Sequence, residues 1–324
     1  MSIVVSEIRP FWMPKLNEVV GNQKFGLSEW ISKGEYYYMS SPISQDQFTL
    51  DLSGKSFTKN MLFAFAFDCN RMASAAFETM YSIEKSTKLP NSVAWLIIKS
   101  YYAAYYAGHA IIRMLGISCS QLNQKSASKL CEISQLNQNN NVISIPSSYY
   151  SCIYNVNTQE LFFKNIKSKG GVHESFWKIF HERIKDLSKS ILTEPIIIQQ
   201  SQDVFKKLDE LCKILCYRGF NGGNWLSSVR NQVNYRHELN AWFPHRKWGQ
   251  QSVQDIFRDS SIWLDDPMNI SLLIQPDKPI DLFIHACNFI VALCRVLIID
   301  MSNRCSQGKS YLKDGSLKLL NQCT

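Results

Sequence analysis

A mainly α-helical fold, with one small β-hairpin and an irregular N-terminal extension, follows from three observations on the 324-residue sequence. Long stretches repeat apolar residues every three to four positions, the period of one helix face. Clear strand-like alternation is confined to residues 43–54 and 149–166. Proline, glycine and polar clusters separate these runs.

Hydrophobic residues make up 45% of the chain, enough for a sizeable core in one large domain or two ordinary ones. A net charge of +8 and a pI near 8.9 lean towards an anionic partner. No Lys/Arg block resembles a nucleic-acid-binding tail, and only 19% of residues are charged. The ten cysteines form no CxxC pair, and no secretory signal sequence is read at the start, so reduced thiols and a cytoplasmic protein are expected. Cys212 and Cys216 lack a histidine nearby in sequence and read as core residues, so no metal site and no cofactor are expected. The most apolar stretch, Ile280–Ile299, is interrupted by Asp281, His285, Asn288 and Arg295, which suits a buried helix better than a membrane span.

In chain order, residues 1–55 carry aromatic clusters at 11–14 and 35–39 and alternating Phe48, Leu50 and Leu52, a mixed extension wrapping a helical body. From Lys55 the pattern is helical through Phe63, Phe67, Met72, Phe77 and Met80 to Leu89–Pro90, with Ser56 or Thr58 as N-cap. Asn91 or Ser92 then caps a second helix, Val93–Leu115, closed by Gly116 at C′. Ala103, Ala104, Ala107, Gly108 and Ala110 allow close approach along it, and His109 reads as a hydrogen-bonded core histidine.

The Ser/Asn/Gln-rich residues 120–141 read as a peripheral insertion or loop. Tyr149–Val156 and Glu160–Ile166 read as a hairpin, His173–Leu192 as a helix ended by Pro195, and Gln202–Cys216 as another. His173 and His181 each precede a glutamate, but neither continues to HExxH, which excludes that zinc motif. Residues 251–279 are loop-like, Ile280–Arg304 forms the last long helix, and the final twenty residues form a mobile or lightly packed tail. The expected segments are therefore 1–55, the first part of the bundle at 56–116, an insertion at 117–200, the second part at 201–305, and a tail at 306–324.

The chemically suggestive stretch is NWLSSVRNQVNYRHELNAWFP at 224–244, entered through the turn RGFNGGNW at 218–225 and expected to be one helix terminated by Pro244. Arg230 and His237 are seven residues apart, which on a continuous helix returns to within about 20° of one direction after two turns. Asn234 shares that stripe, and Asn231 adjoins the arginine. A cation, an amide and a titratable imidazole in line suit a phosphate. Arg236, and His245, Arg246 and Lys247 beyond the helix, are candidate phosphate-holding residues.

Long helices, a Gly-rich turn, and RNQVNYRH at 230–237 together resemble the HEPN superfamily of helical-bundle ribonucleases. The signature is an arginine, usually followed by a polar residue, then a histidine after four to six positions; six intervene here. Leu239 stands where one subgroup, the small toxins, has tyrosine. The Tyr/Ala-rich helix also looks like an early bundle helix of such domains, and the resemblance covers about a third of the chain. It implies an HEPN-like bundle and metal-independent RNA cleavage by Arg230, Asn231 and His237. It also implies a homodimer that brings two motifs together, and a role in antiviral defence or as a toxin. An unregulated ribonuclease harms its cell, so a regulatory partner or effector acting through residues 1–55 or 117–170 is expected. The alternative is a non-catalytic module of the same kind that binds nucleotides or a partner.

Overall fold

The computed structural model describes residues 2–22, 24–44, 46–54, 56–84, 92–137, 144–167, 170–243, 258, 260–274 and 278–322, without side-chain placement for 39–44, 84 and 137. The fold is mainly helical with one antiparallel sheet. Short helices α1 (Ile3–Ile8) and α2 (Leu27–Lys33) open the chain, followed by strands β1 (Tyr37–Ser44) and β2 (Gln47–Asp51). The bundle begins with α3 (Phe57–Glu84) and α4 (Ala94–Met114). Next come β3 (Ile117–Gln121), α5 (Gln124–Asn137), β4 (Tyr149–Asn155) and β5 (Glu160–Asn165). It closes with α6 (Gly171–Thr193), α7 (Ile198–Leu215), α8 (Trp225–Asn234), α9 (Pro279–Asn303) and α10 (Ser316–Gln322).

Helix α4 is the centre of the bundle, packing against α3, α9 and α8. Its small residues work as expected: a Cβ on Gly108 would lie 3.0 Å from Cζ of Phe176, so a glycine there lets α6 approach closely. Gly116 takes φ +76 as its C′ residue, and its N–H donates to the Arg113 carbonyl. The start differs from the expectation. Val93 occupies the N-cap without a side-chain bond, and its N–H donates instead to the Ala241 carbonyl at 3.1 Å, tying α4 to the segment after α8. Asn91, like Leu89–Pro90, lies outside the described residues. His109 is a core histidine as expected, 3.1 Å from Arg113 Nη1 and stacked on Phe176 at 3.9 Å between ring centroids.

The hairpin expected at 149–166 forms, but as the middle of a sheet ordered β1-β2-β5-β4-β3. Alternating residues give it one buried face, where Phe48 pairs with Phe163 in register and stacks on it at 4.6 Å. The N-terminal extension and the 117–165 segment thus share one sheet. Two expectations are corrected. Residues 120–141 are not simply a loop: α5 buries Ala127 and Leu130, and Asn123 Oδ1 accepts the Ser126 N–H at 2.9 Å as a cap does. Nor are the residues after 305 a loose tail. Tyr311 and Leu312 are buried, Val20 bridges to Ser310, and Asn70 Nδ2 donates to the Tyr311 carbonyl at 2.9 Å.

Helix α9 is long and apolar enough to cross a membrane, yet 78% of its apolar window is buried inside this fold. Its polar interruptions are structural. Asn288 accepts the Trp263 N–H at 3.2 Å and Arg295 Nη2 donates to the Asp265 carbonyl at 2.8 Å, holding the connecting segment onto the helix.

Candidate functional site

Gly223 sets the entry to α8. It has φ +77, and a Cβ there would fall 2.3 Å from Cβ of His181, so the turn presses backbone against α6 where only glycine fits. Leu226, Val229 and Val233 bury the apolar face of α8, which packs on α4, α6 and α7. One turn in, this arrangement carries Arg230 into the fold at 5% exposure.

The guanidinium lies over three aromatic rings, 5.3 Å from the centroid of Tyr101, 5.7 Å from Tyr102 and 5.4 Å from Tyr235. Nη1 donates to Asn231 Oδ1 at 2.8 Å, so the asparagine orients it. Nε has no hydrogen-bond partner, and among the described residues no carboxylate pairs with the cation. A buried guanidinium with no acid among the described residues is costly, and a bound anion would offset that cost. It opens into a cleft of about 460 Å³ between the start of α6 and the end of α8, lined by Gly170, Gly171, His173, Asn231, Tyr235 and Arg236 among others.

The expected single helix over 224–244 is corrected here: α8 stops at Asn234. Trp242 Nε1 donates to the Val233 carbonyl at 2.8 Å and the Glu238 N–H to the Gln232 carbonyl at 2.9 Å, so acceptors in the last turn are taken by residues folding back. His237, Leu239 and Asn240 all have positive φ, which ends any continuation. His237 is therefore not two turns along the same helix from Arg230. It sits exposed on the turn, its ring 6.0 Å from that of Trp242, and is not among the residues lining the cleft. Asn234 remains on α8, Arg236 is exposed at the cleft mouth with Nη1 4.0 Å from Glu238 Oε1, and His245, Arg246, Lys247 and Pro244 lie outside the described residues.

The imidazole that does line the cleft is His173, from the first turn of α6. Its ring centroid is 4.4 Å from that of Tyr105, and its Nδ1 is 3.0 Å from the Tyr101 hydroxyl. That hydroxyl accepts Trp177 Nε1–H at 3.0 Å, and burial pushes its pKa up to about 12. It therefore keeps its proton at neutral pH, and either the hydroxyl or the ring nitrogen can be the donor of the bond between them. Burial first, and the Arg230 guanidinium second, bring the His173 pKa down to about 4, so the ring is neutral at neutral pH. Nothing in the sequence joins positions 173 and 230; the Gly-Gly break before an amphipathic helix is the one local signal.

A cysteine–histidine contact also escapes the sequence. His181 Nε2 lies 3.4 Å from Cys216 Sγ, so Cys216 does have a histidine beside it in space. Among the described residues no three His, Cys, Asp or Glu side chains come together as a metal-binding group.

These histidines predict the pH response of stability. His173 and the fully buried His109 both have pKa values below the ordinary 6.5, His109 chiefly through burial and then Arg113. Above pH 6.5 both are neutral folded or unfolded; below it the unfolded chain takes up protons that the fold refuses. The melting temperature is expected to be flat from pH 7 to 8 and to fall steadily between about pH 6.5 and 4. A melting temperature that holds or rises on acidification contradicts this.

Compared with protein-family models, with curated proteins and with solved structures, the chain gives no match in any of the three. The chemistry is therefore read from the site itself.

Proposed function

We propose that this chain is a metal-independent endoribonuclease of the HEPN kind, with its scissile RNA phosphate held at Arg230. The observation that carries this reading is the buried Arg230 guanidinium, with an unpartnered Nε and no acid among the described residues, open to a cleft. An RNA phosphodiester supplies the missing anion and brings its own nucleophile. In the step proposed, a base takes the proton of the 2′-hydroxyl, the oxygen attacks phosphorus, and the P–O5′ bond breaks. A 2′,3′-cyclic phosphate results, and an acid returns one proton to the leaving 5′-oxygen. Arg230 neutralises the charge gathering on the non-bridging oxygens, and Asn231 holds it in aim. Arg236 and Asn234 serve flanking parts of the strand, as do His245, Arg246 and Lys247 in this reading.

His237 is the proton-transfer group of this proposal. Its exposed position on the turn after α8 suits a residue that acts across an interface, and we propose a homodimer in which two such turns supply acid and base. Antiviral defence or toxicity in the cytoplasm, under control of a partner or effector, is the accompanying biological proposal. The test is cleavage of a structured RNA with chelator present by wild type, Arg230→Ala and His237→Ala. Cutting by the wild type that both substitutions abolish supports the reading; cutting that requires added Mg²⁺, or survives both substitutions, overturns it.

A second reading has one observation in its favour: His237 stands outside the cleft that Arg230 opens into. A non-catalytic module of the same kind would bind a nucleotide or a partner through that cleft. It predicts binding of RNA that depends on Arg230, with the RNA left intact.

A further inference from the structure

We propose that His173, with Arg230 of the same copy of the chain, forms a phosphate-binding subsite for a ribonucleotide whose base rests on Tyr235. His173 acts there as a hydrogen-bond donor. The proposal rests on the reading that Arg230 receives a phosphate, and adds a residue and a ligand geometry to it.

Four observations carry it. Arg230 is at 5% exposure, with Nε unpartnered. His173 and Arg230 line one cleft, although they come from different helices. Trp177 Nε1 donates to the Tyr101 hydroxyl, which lies 3.0 Å from His173 Nδ1, so Nδ1 is engaged and Nε2 is the ring's remaining polar atom. Tyr235, 67% exposed, lies 5.4 Å from the guanidinium and lines the same cleft, an aromatic face open to stacking.

A neutral imidazole is what burial, and then the neighbouring Arg230 cation, enforce. In the tautomer this subsite requires, the Tyr101 hydroxyl donates to Nδ1 and the proton sits on Nε2, so His173 has no free lone pair and cannot take the proton of a 2′-hydroxyl. It can give a hydrogen bond to a phosphate oxygen, alongside the arginine fork. The Glu174 carboxylate folds back against Gly170 at the edge of the cleft, and Lys178, at 2.7 Å, offsets its charge. The ligand is thus a phosphate ester carrying a base, and His173 is a binding residue distinct in role from His237.

The test is titration of the full-length protein with 5′-AMP and with inorganic phosphate, followed by calorimetry and by the His173 ring ¹⁵N resonances. AMP is expected to bind at least about tenfold more tightly than inorganic phosphate, a margin that Tyr235→Ala removes. His173→Phe, which keeps a ring but no donor, is expected to weaken AMP about tenfold, and His173→Gln, which restores an N–H, to recover most of it. The wild-type Nε2–H resonance shifts on adding AMP, a readout that stands even if a variant fails to fold. AMP binding that depends on Arg230 but is equal in His173→Phe, with an unmoved Nε2–H, overturns the subsite and leaves the RNA reading standing. A His173-dependent AMP site on a protein that never cuts RNA keeps the subsite and removes the nuclease. No binding of either probe overturns the subsite.

Discussion

Arg230→Ala is expected to lower RNA cleavage on the order of 10³-fold, the scale of losing a charge-stabilising donor at a transferring phosphorus. Arg230→Lys is expected to recover only a small part. Lysine keeps the charge, but not the planar fork or the fit over the faces of Tyr101 and Tyr102. The same position makes an opposite prediction for stability. A buried cation with an unpartnered Nε costs the fold free energy, so Arg230→Met, of similar bulk and no charge, is expected to melt at the same temperature or higher. Cleavage lost together with stability would instead make Arg230 an ordinary structural residue, and thermal melts beside the cleavage assay separate the two.

The second large effect is expected at Gly223. Alanine there meets two obstacles, a positive φ and a His181 Cβ at 2.3 Å from the new methyl carbon, an atom fixed to the α6 backbone and unable to swing away. Destabilisation on the order of 2–3 kcal/mol is expected, with the start of α8 pushed off α6 and cleavage reduced accordingly. Gly219 is the comparison. Its φ is +83, but nothing lies within 4 Å of an added Cβ, so Gly219→Ala carries backbone strain alone, about 1–2 kcal/mol. Equal melting temperatures for the two variants would mean that the contact between the 222–223 turn and α6 does not hold α8.

The bundle was legible where one residue's role depends on its neighbours in sequence. The Ala/Gly face of α4, the hairpin alternation of Cys152, Tyr154, Leu161 and Phe163, and Gly116 as a C′ residue are all local, and the structure has them. Legibility failed where the deciding partner is remote. Periodicity carries a helix on past Asn234. What stops it is an indole eight residues further along, folded back to take a carbonyl, with three left-handed residues between. The polar composition of 120–141 hid α5, because hydroxyls such as Ser134 are buried with their bonds satisfied within the helix.

The site divides the same way. Arg230 and Asn231 stand out in the sequence and are brought together, whereas His237 leaves the stripe on which helix geometry put it. His173 was visible only as a failed zinc motif. Its place beside Arg230 depends on α6 and α8 both packing against α4, and on Tyr101 reaching its ring.

The central claim is that the phosphate held at Arg230 is attacked by the RNA's own 2′-hydroxyl. The most direct measurement maps a cleavage position in RNA, then repeats the reaction, with chelator present, on a strand carrying a single 2′-deoxy substitution just 5′ of that phosphate. A 2′,3′-cyclic phosphate end is expected from the all-ribose strand, and no cutting at the substituted position. Cutting there at an undiminished rate would contradict it.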